Sequence, residues 1–126
     1  MVKTVSTPDA PQAIGPYSQG KVAGGFLFAS GQVALDPKGG AVVGSDITSQ
    51  TEQVMKNVLA IVKEAGGDPK NIVKTTCFLH DINDFAKFNE VYAKYIGEYA
   101  PARSCVGNLN LPKGVLCEVE VIVYLG

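Results

Sequence analysis

The segment 117–124, CEVEVIVY, alternates without a break. Cys117, Val119, Val121 and Val123 project to one side of an extended chain, and Glu118, Glu120, Ile122 and Tyr124 project to the other. A strand divided this way needs a cover for its valine face, and two amphipathic helical segments are available. The first can be capped by Asp46 or Thr48 and is stopped by Gly66-Gly67, with Val54, Val58, Ile61, Val62 and Ala65 recurring at helical spacing. The second begins near Asp81 or Asn83 and runs to about Tyr99. Its stripe is Phe85, Phe88, Tyr92, Tyr95 and Ile96, and Pro101 ends it.

The remaining strands read from β-branched runs and turn residues. Gly24-Gly25 separates GKV from FLFAS as in a hairpin, and DPKGG (36–40) turns between GQVAL and AVVG. IVKTTCFL (72–79), ARSCVGN (102–108) and LCEVEVIVYL (116–125) are strand-like, the last two joined by LPKG. The N-terminal MVKTVSTPDAPQ reads as polar and proline-punctuated. The expected architecture is a two-layer α+β domain spanning 1–126, with two helices on one face of a mixed sheet.

Two helices leave the other sheet face uncovered, and VYL and FLFAS make that face more apolar than a solvated one. It is expected to pack against copies of the same chain, with Glu118 and Glu120 near the rim. The alternative is that both glutamates are simply solvated.

Composition narrows the function. The chain of 126 residues is 46% hydrophobic and 18% charged, which suits an ordinary packed domain. Eleven basic residues against twelve acidic give a net charge of -1, without the basic footprint of a nucleic-acid binder. No apolar run approaches a membrane span, and the N-terminus lacks the apolar centre of a signal peptide. Cys77, Cys105 and Cys117 are odd in number and far apart, which suits free thiols in a reducing compartment. The expected location is the cytoplasm, with an organelle left open. His80, the one histidine, has no partner at metal-ligand spacing, and neither GxGxxG nor GxxxxGK[ST] occurs. No metal or cofactor is expected.

One residue resists this bland reading. APARSCV (100–106) places Arg103, always charged, inside a short apolar run. Its planar fork can hold a carboxylate through two parallel hydrogen bonds. Alternatively it pairs with Glu118 or Glu120 as a structural bridge. Spacing puts Arg103 and Cys105 on one strand face.

IGPYSQG (14–20), ASGQVALDP (29–37) and PARSCV…LPKGVLCEVEVI (101–122), with IVKTTCFLHDINDF and FNEVY between them, resemble the Rid family (reactive intermediate deaminases, also YjgF or L-PSP), within it the RidA branch. The resemblance spans essentially the whole chain. It implies a chorismate-mutase-like fold, a homotrimer with a cleft at each subunit interface, and hydrolysis of 2-imino acids to 2-keto acids and ammonia. Residue by residue it implies Arg103 as carboxylate anchor and Glu118 as the group that orients water and moves protons. Tyr17 would hold the ligand, joined in the cleft by Ser30, Gly31, Asn89 and the Cys105 backbone. A carboxylate near Arg103 should stay ionised while the cleft is empty. Each residue also has a plain reading: Tyr17 as a packing ring, Asn89 as a surface amide, Ser30 as a turn former. Cys117 and Leu109 depart from the family pattern and are expected to alter the cleft rim. A non-catalytic binder of small metabolites and an endoribonuclease are the competing functions.

Overall fold

The computed structural model describes residues 1–126. Six strands and two helices run β1 (Lys3–Val5), β2 (Gly20–Ala23), β3 (Phe26–Ala29), α1 (Ile47–Glu64), β4 (Ile72–Leu79), α2 (Phe85–Ile96), β5 (Ala102–Val106) and β6 (Cys117–Tyr124). The sheet order is β1-β2-β3-β6-β4-β5, antiparallel throughout except for the parallel β4–β5 pair at one edge. This is the α+β architecture expected from the sequence.

Local chemistry explains most boundaries. Gly24 and Gly25 both take positive φ, 56° and 83°, as a two-residue hairpin between β2 and β3 demands. The Asp46 carboxylate accepts from the Ser49 backbone N–H and starts α1, and Gly66 (φ 82°) follows its end. The second helix is shorter than its apolar stripe suggests: Asp81 caps a single 3-10 turn before Phe85, and another 3-10 turn covers Gly97–Tyr99. The DPKGG turn forms, but its flanks are joined only by a Leu35–Val42 bridge rather than by full strands. Within the polar N-terminus, Lys3–Val5 adds an edge strand that the sequence reading did not name. It pairs Lys3 with Val22 and Val5 with Gly20.

The valine face of β6 is the floor of the core, and Cys117, Val119, Val121 and Val123 are all buried. Both helices lie on this face. The Thr51 hydroxyl of α1 touches Cys117 Sγ at 3.6 Å, and the Tyr92 hydroxyl of α2 meets Thr75 Oγ1 of β4 at 2.8 Å. Phe88, Leu27, Met55, Ile61, Leu79 and Ile96 fill the space between the layers. Each such side chain contributes roughly 1.5–3 kcal/mol by leaving water.

The opposite face has no cover in the chain. Phe28 and Tyr124 are each 48% exposed, Val106 is 45% exposed, and the Phe26 and Tyr124 rings meet at a tilt with centres 5.3 Å apart. β5 is an exposed edge strand, four of its five residues open to solvent. Bare apolar sheet face and free strand edge are surfaces that monomers normally hide. No helix is long and apolar enough to cross a membrane.

Candidate active site

Arg103 lies on β5 opposite Thr75 of β4, and Thr75 belongs to the helix-covered face. The arginine therefore rises toward α2. Its Nη1 donates to Asn89 Oδ1 at 2.6 Å, and the guanidinium carbon sits 4.9 Å from the Tyr92 ring centre and 5.3 Å from that of Phe85. Phe85, Asn89 and Tyr92 stand four and three residues apart, so one stripe of α2 presents all three. The one ion pair of the chain joins Lys94 to Glu52, so no acid of its own chain neutralises Arg103. The structural bridge to Glu118 or Glu120 does not form. Beside the guanidinium is an open depression of about 480 Å³ that includes Asn89, Tyr92, Ala100 and Pro101. Cys105 shares this face, as spacing required, opposite Cys77. Burial pushes its thiol pKa up despite the nearby guanidinium, which makes the thiol a poor nucleophile.

Glu118 belongs to a second cluster. It pairs across β6–β4 with Phe78 and points to the uncovered face. Gly31 packs directly on it: a Cβ there would lie 2.0 Å from Glu118 Oε2. The glycine is thus set by the carboxylate. Backbone bonds between Gln32 and Val119 fix the 30–32 segment against β6. Ser30 donates its hydroxyl to the Ser18 carbonyl at 2.6 Å, and its N–H bonds Gln19 O, so its visible work is to join that segment to the IGPYSQG loop. Tyr17, in that loop, is half-exposed and shares a pocket of about 230 Å³ with Gly31, Gln32 and Lys113. Partial burial, and then the neighbouring Glu120, raises the Glu118 pKa above its usual 4.5. The expectation that Arg103 keeps Glu118 ionised fails within one chain, because the two groups leave opposite faces of the sheet.

The predicted site residues therefore form two halves. One holds Arg103, Asn89 and Cys105; the other holds Glu118, Gly31, Ser30 and Tyr17. Each half is ordered and neither contains the other.

Several residues in these halves escaped the sequence reading. Phe85 and Tyr92 read as core stripe, although Asn89 falling on the same stripe signalled a polar purpose. Gln19 is buried. Its Nε2 donates to the carbonyls of Thr7, Ala10 and Pro11, and its Oε1 accepts from Thr7 N at 2.7 Å. That network anchors the loop that carries Tyr17. Cys117 is not at the cleft rim: it is fully buried beside Thr51, and burial pushes its thiol up to about 11. Leu109 is half-buried and ties its backbone to the end of β4, through Leu79 O and the His80 ring.

Comparison with known proteins gives one family and several functional names. A family model described as Endoribonuclease L-PSP matches residues 7–125. A Lactococcus lactis protein that carries the regulator name AldR is 55% identical over 121 residues, 96% of each chain. The 2-iminobutanoate/2-iminopropanoate deaminase of Salmonella typhimurium is 48% identical over 125 residues, 97% of each chain. Among solved structures, E. coli TdcF with bound serine matches at a TM-score of 0.93 and 42% identity, over 98% of this chain and 99% of that one.

Proposed function

The chain belongs to the endoribonuclease L-PSP family, and we propose that it hydrolyses 2-imino acids to 2-keto acids and ammonia in clefts between the subunits of a homotrimer. One observation carries this reading: Arg103 is an exposed, oriented cation that no acid of its own chain satisfies. The deaminase name of the Salmonella relative supports it, and so does the serine in TdcF, which carries a carboxylate beside a nitrogen-bearing carbon as a 2-imino acid does.

The split site supports a cleft completed by a second copy. Arg103 stands at the free β5 edge, and Glu118 stands on the bare sheet face. A second copy that covers one copy's open face with its β5 edge brings the two halves together and buries the exposed aromatics.

The chemistry then needs no external group. The substrate carboxylate takes two parallel hydrogen bonds from Arg103. Glu118 of the neighbouring copy accepts a proton from water as the oxygen bonds to the iminium carbon. It returns that proton to the nitrogen. The C–N bond then breaks and ammonia leaves with the bonding pair, while Glu118 takes the carbinol O–H proton so that this oxygen becomes the keto oxygen; the proton then passes to the released ammonia. A carboxylate with a raised pKa suits these transfers, because it holds a proton more readily than a solvated one. Tyr17 donates its O–H to the bound acid, and the Cys105 backbone lines the Arg103 side.

The test generates imine in place with an amino-acid dehydratase or oxidase and follows keto-acid release. Wild-type protein accelerates release and Arg103→Ala falls to the buffer rate. Wild-type release no faster than buffer refutes the reading. The regulator name of the 55% identical relative favours a second reading, ligand binding without turnover in the same cleft. That reading gains if 2-oxobutanoate binds the wild-type protein and release still stays at the buffer rate.

A further inference from the structure

An arginine side chain is long and costly to immobilise, so a free guanidinium found in one orientation needs a cause. Asn89 supplies one hydrogen bond. That leaves the tilt of the plane open, and the two rings of α2 set it. The nearer ring, Tyr92, is itself fixed by an unusual route. Its hydroxyl meets Thr75 Oγ1 at 2.8 Å, Thr75 is fully buried, and Thr75 is the residue directly opposite Arg103 in the parallel β4–β5 ladder. One rung of the sheet therefore carries the arginine at one end and, at the other, the hydroxyl that holds the ring beneath it.

We propose that Tyr92 is a positioning residue for the ligand carboxylate, fixing the Arg103 guanidinium through a hydroxyl clamp on Thr75. The proposal rests on Arg103 being the carboxylate anchor. Cation–π attraction holds the guanidinium over the ring face, where it lines the open depression with N–H donors to spare. Phe85 completes the cradle but has no polar handle, so its own place depends on packing alone. With the hydroxyl clamp removed, the Tyr92 ring and the guanidinium above it gain freedom that a ligand must remove on binding. The Thr75 hydroxyl would keep only a weak contact from Cys77 Sγ at 4.0 Å. Burial raises the Tyr92 pKa, and the Thr75 hydrogen bond and then the guanidinium oppose it.

The clamp makes a distinctive demand on ligand affinity. Tyr92→Phe keeps the ring and removes the hydroxyl, and Thr75→Val removes the other end, whereas Thr75→Ser retains it. Affinity for 2-oxobutanoate, measured by calorimetry, should weaken about tenfold in Tyr92→Phe and in Thr75→Val. It should stay near wild type in Thr75→Ser. Under saturating imine, kcat should change by less than about twofold, because uniform binding and not the transition state is affected. In an Arg103→Ala background, adding Tyr92→Phe should change the residual affinity no further. Wild-type affinity in both Tyr92→Phe and Thr75→Val, with Arg103→Ala unable to bind, overturns the clamp and leaves the anchor standing. Undiminished affinity in Arg103→Ala removes both.

Discussion

Gly31→Ala should disable the site while sparing the fold. The φ of Gly31 lies outside the left-handed region, so alanine meets no backbone strain there. The obstacle is one side chain. The new Cβ would stand 2.0 Å from Glu118 Oε2, 2.9 Å from its Cδ and 3.1 Å from its Cγ. Ordinary contact requires the carboxylate to retreat by about 1 Å or more, through an off-rotamer χ angle that costs roughly 0.5–1.5 kcal/mol. The clash is with the far end of one flexible side chain and not with backbone, so thermal stability should fall only slightly. Turnover should not be spared, because a misplacement of about 1 Å costs on the order of a hundredfold in a positioned reaction. The assay is keto-acid release from imine generated in place, read beside thermal melting. A third measurement identifies the cause. If Gly31→Ala acts by displacing Glu118, the Gly31→Ala/Glu118→Ala double variant is no slower than Glu118→Ala alone. Wild-type turnover in a folded Gly31→Ala protein would refute the link between this glycine and the carboxylate, and so would fully additive losses.

Two further outcomes follow from the electrostatics. Within one chain partial burial and then Glu120 raise the Glu118 pKa, and in a carbon-detected NMR experiment it should titrate higher in Arg103→Ala than in wild type, because a guanidinium from the neighbouring copy favours the ionised form; an unchanged titration would place Arg103 elsewhere. Between α1 and α2, Tyr95 and then Lys94 hydrogen-bond to Glu52 and hold its pKa below 4.5, while burial and then Glu52 push Tyr95 up to about 12. A depressed carboxylate stabilises the fold above its unfolded pKa and loses that contribution as pH falls through the folded value, so Tyr95→Phe should melt lower at pH 7 and lose less than wild type below about pH 4. The contacts are largely exposed, so the effect should stay under about 1 kcal/mol, and equal pH profiles for the two proteins would exclude the linkage.

The layers were legible because they obey short periods. Residues 117–124 divide in two, and the half assigned to the helices is the half that is buried. Gly24-Gly25 and Asp46 mark a turn and a cap whose chemistry is local. β1 was not legible: three residues with a single buried side chain offer no period, and their pairing with β2 is a tertiary choice. The candidate residues themselves were reached through motifs, but their division between two faces was not. Whether Arg103 and Glu118 share a face depends on registers running through β4, Thr75 opposite Arg103 and Phe78 opposite Glu118. A one-residue slip in either would reverse the answer. Tyr92 hid for another reason: a ring that packs a core and one that seats a cation occupy the same helix stripe.

The central claim is that each working site takes Arg103 from one subunit and Glu118 from the next, and mixing two dead proteins tests it. Arg103→Ala and Glu118→Ala are each purified, shown inactive in imine hydrolysis, then unfolded together in equal amounts and refolded. Random assembly should place an intact Arg103 against an intact Glu118 in about one quarter of the clefts, and turnover should return to about that fraction of wild type. A refolded mixture that light scattering shows to be assembled, yet that remains as inactive as either parent, would contradict a site shared between subunits.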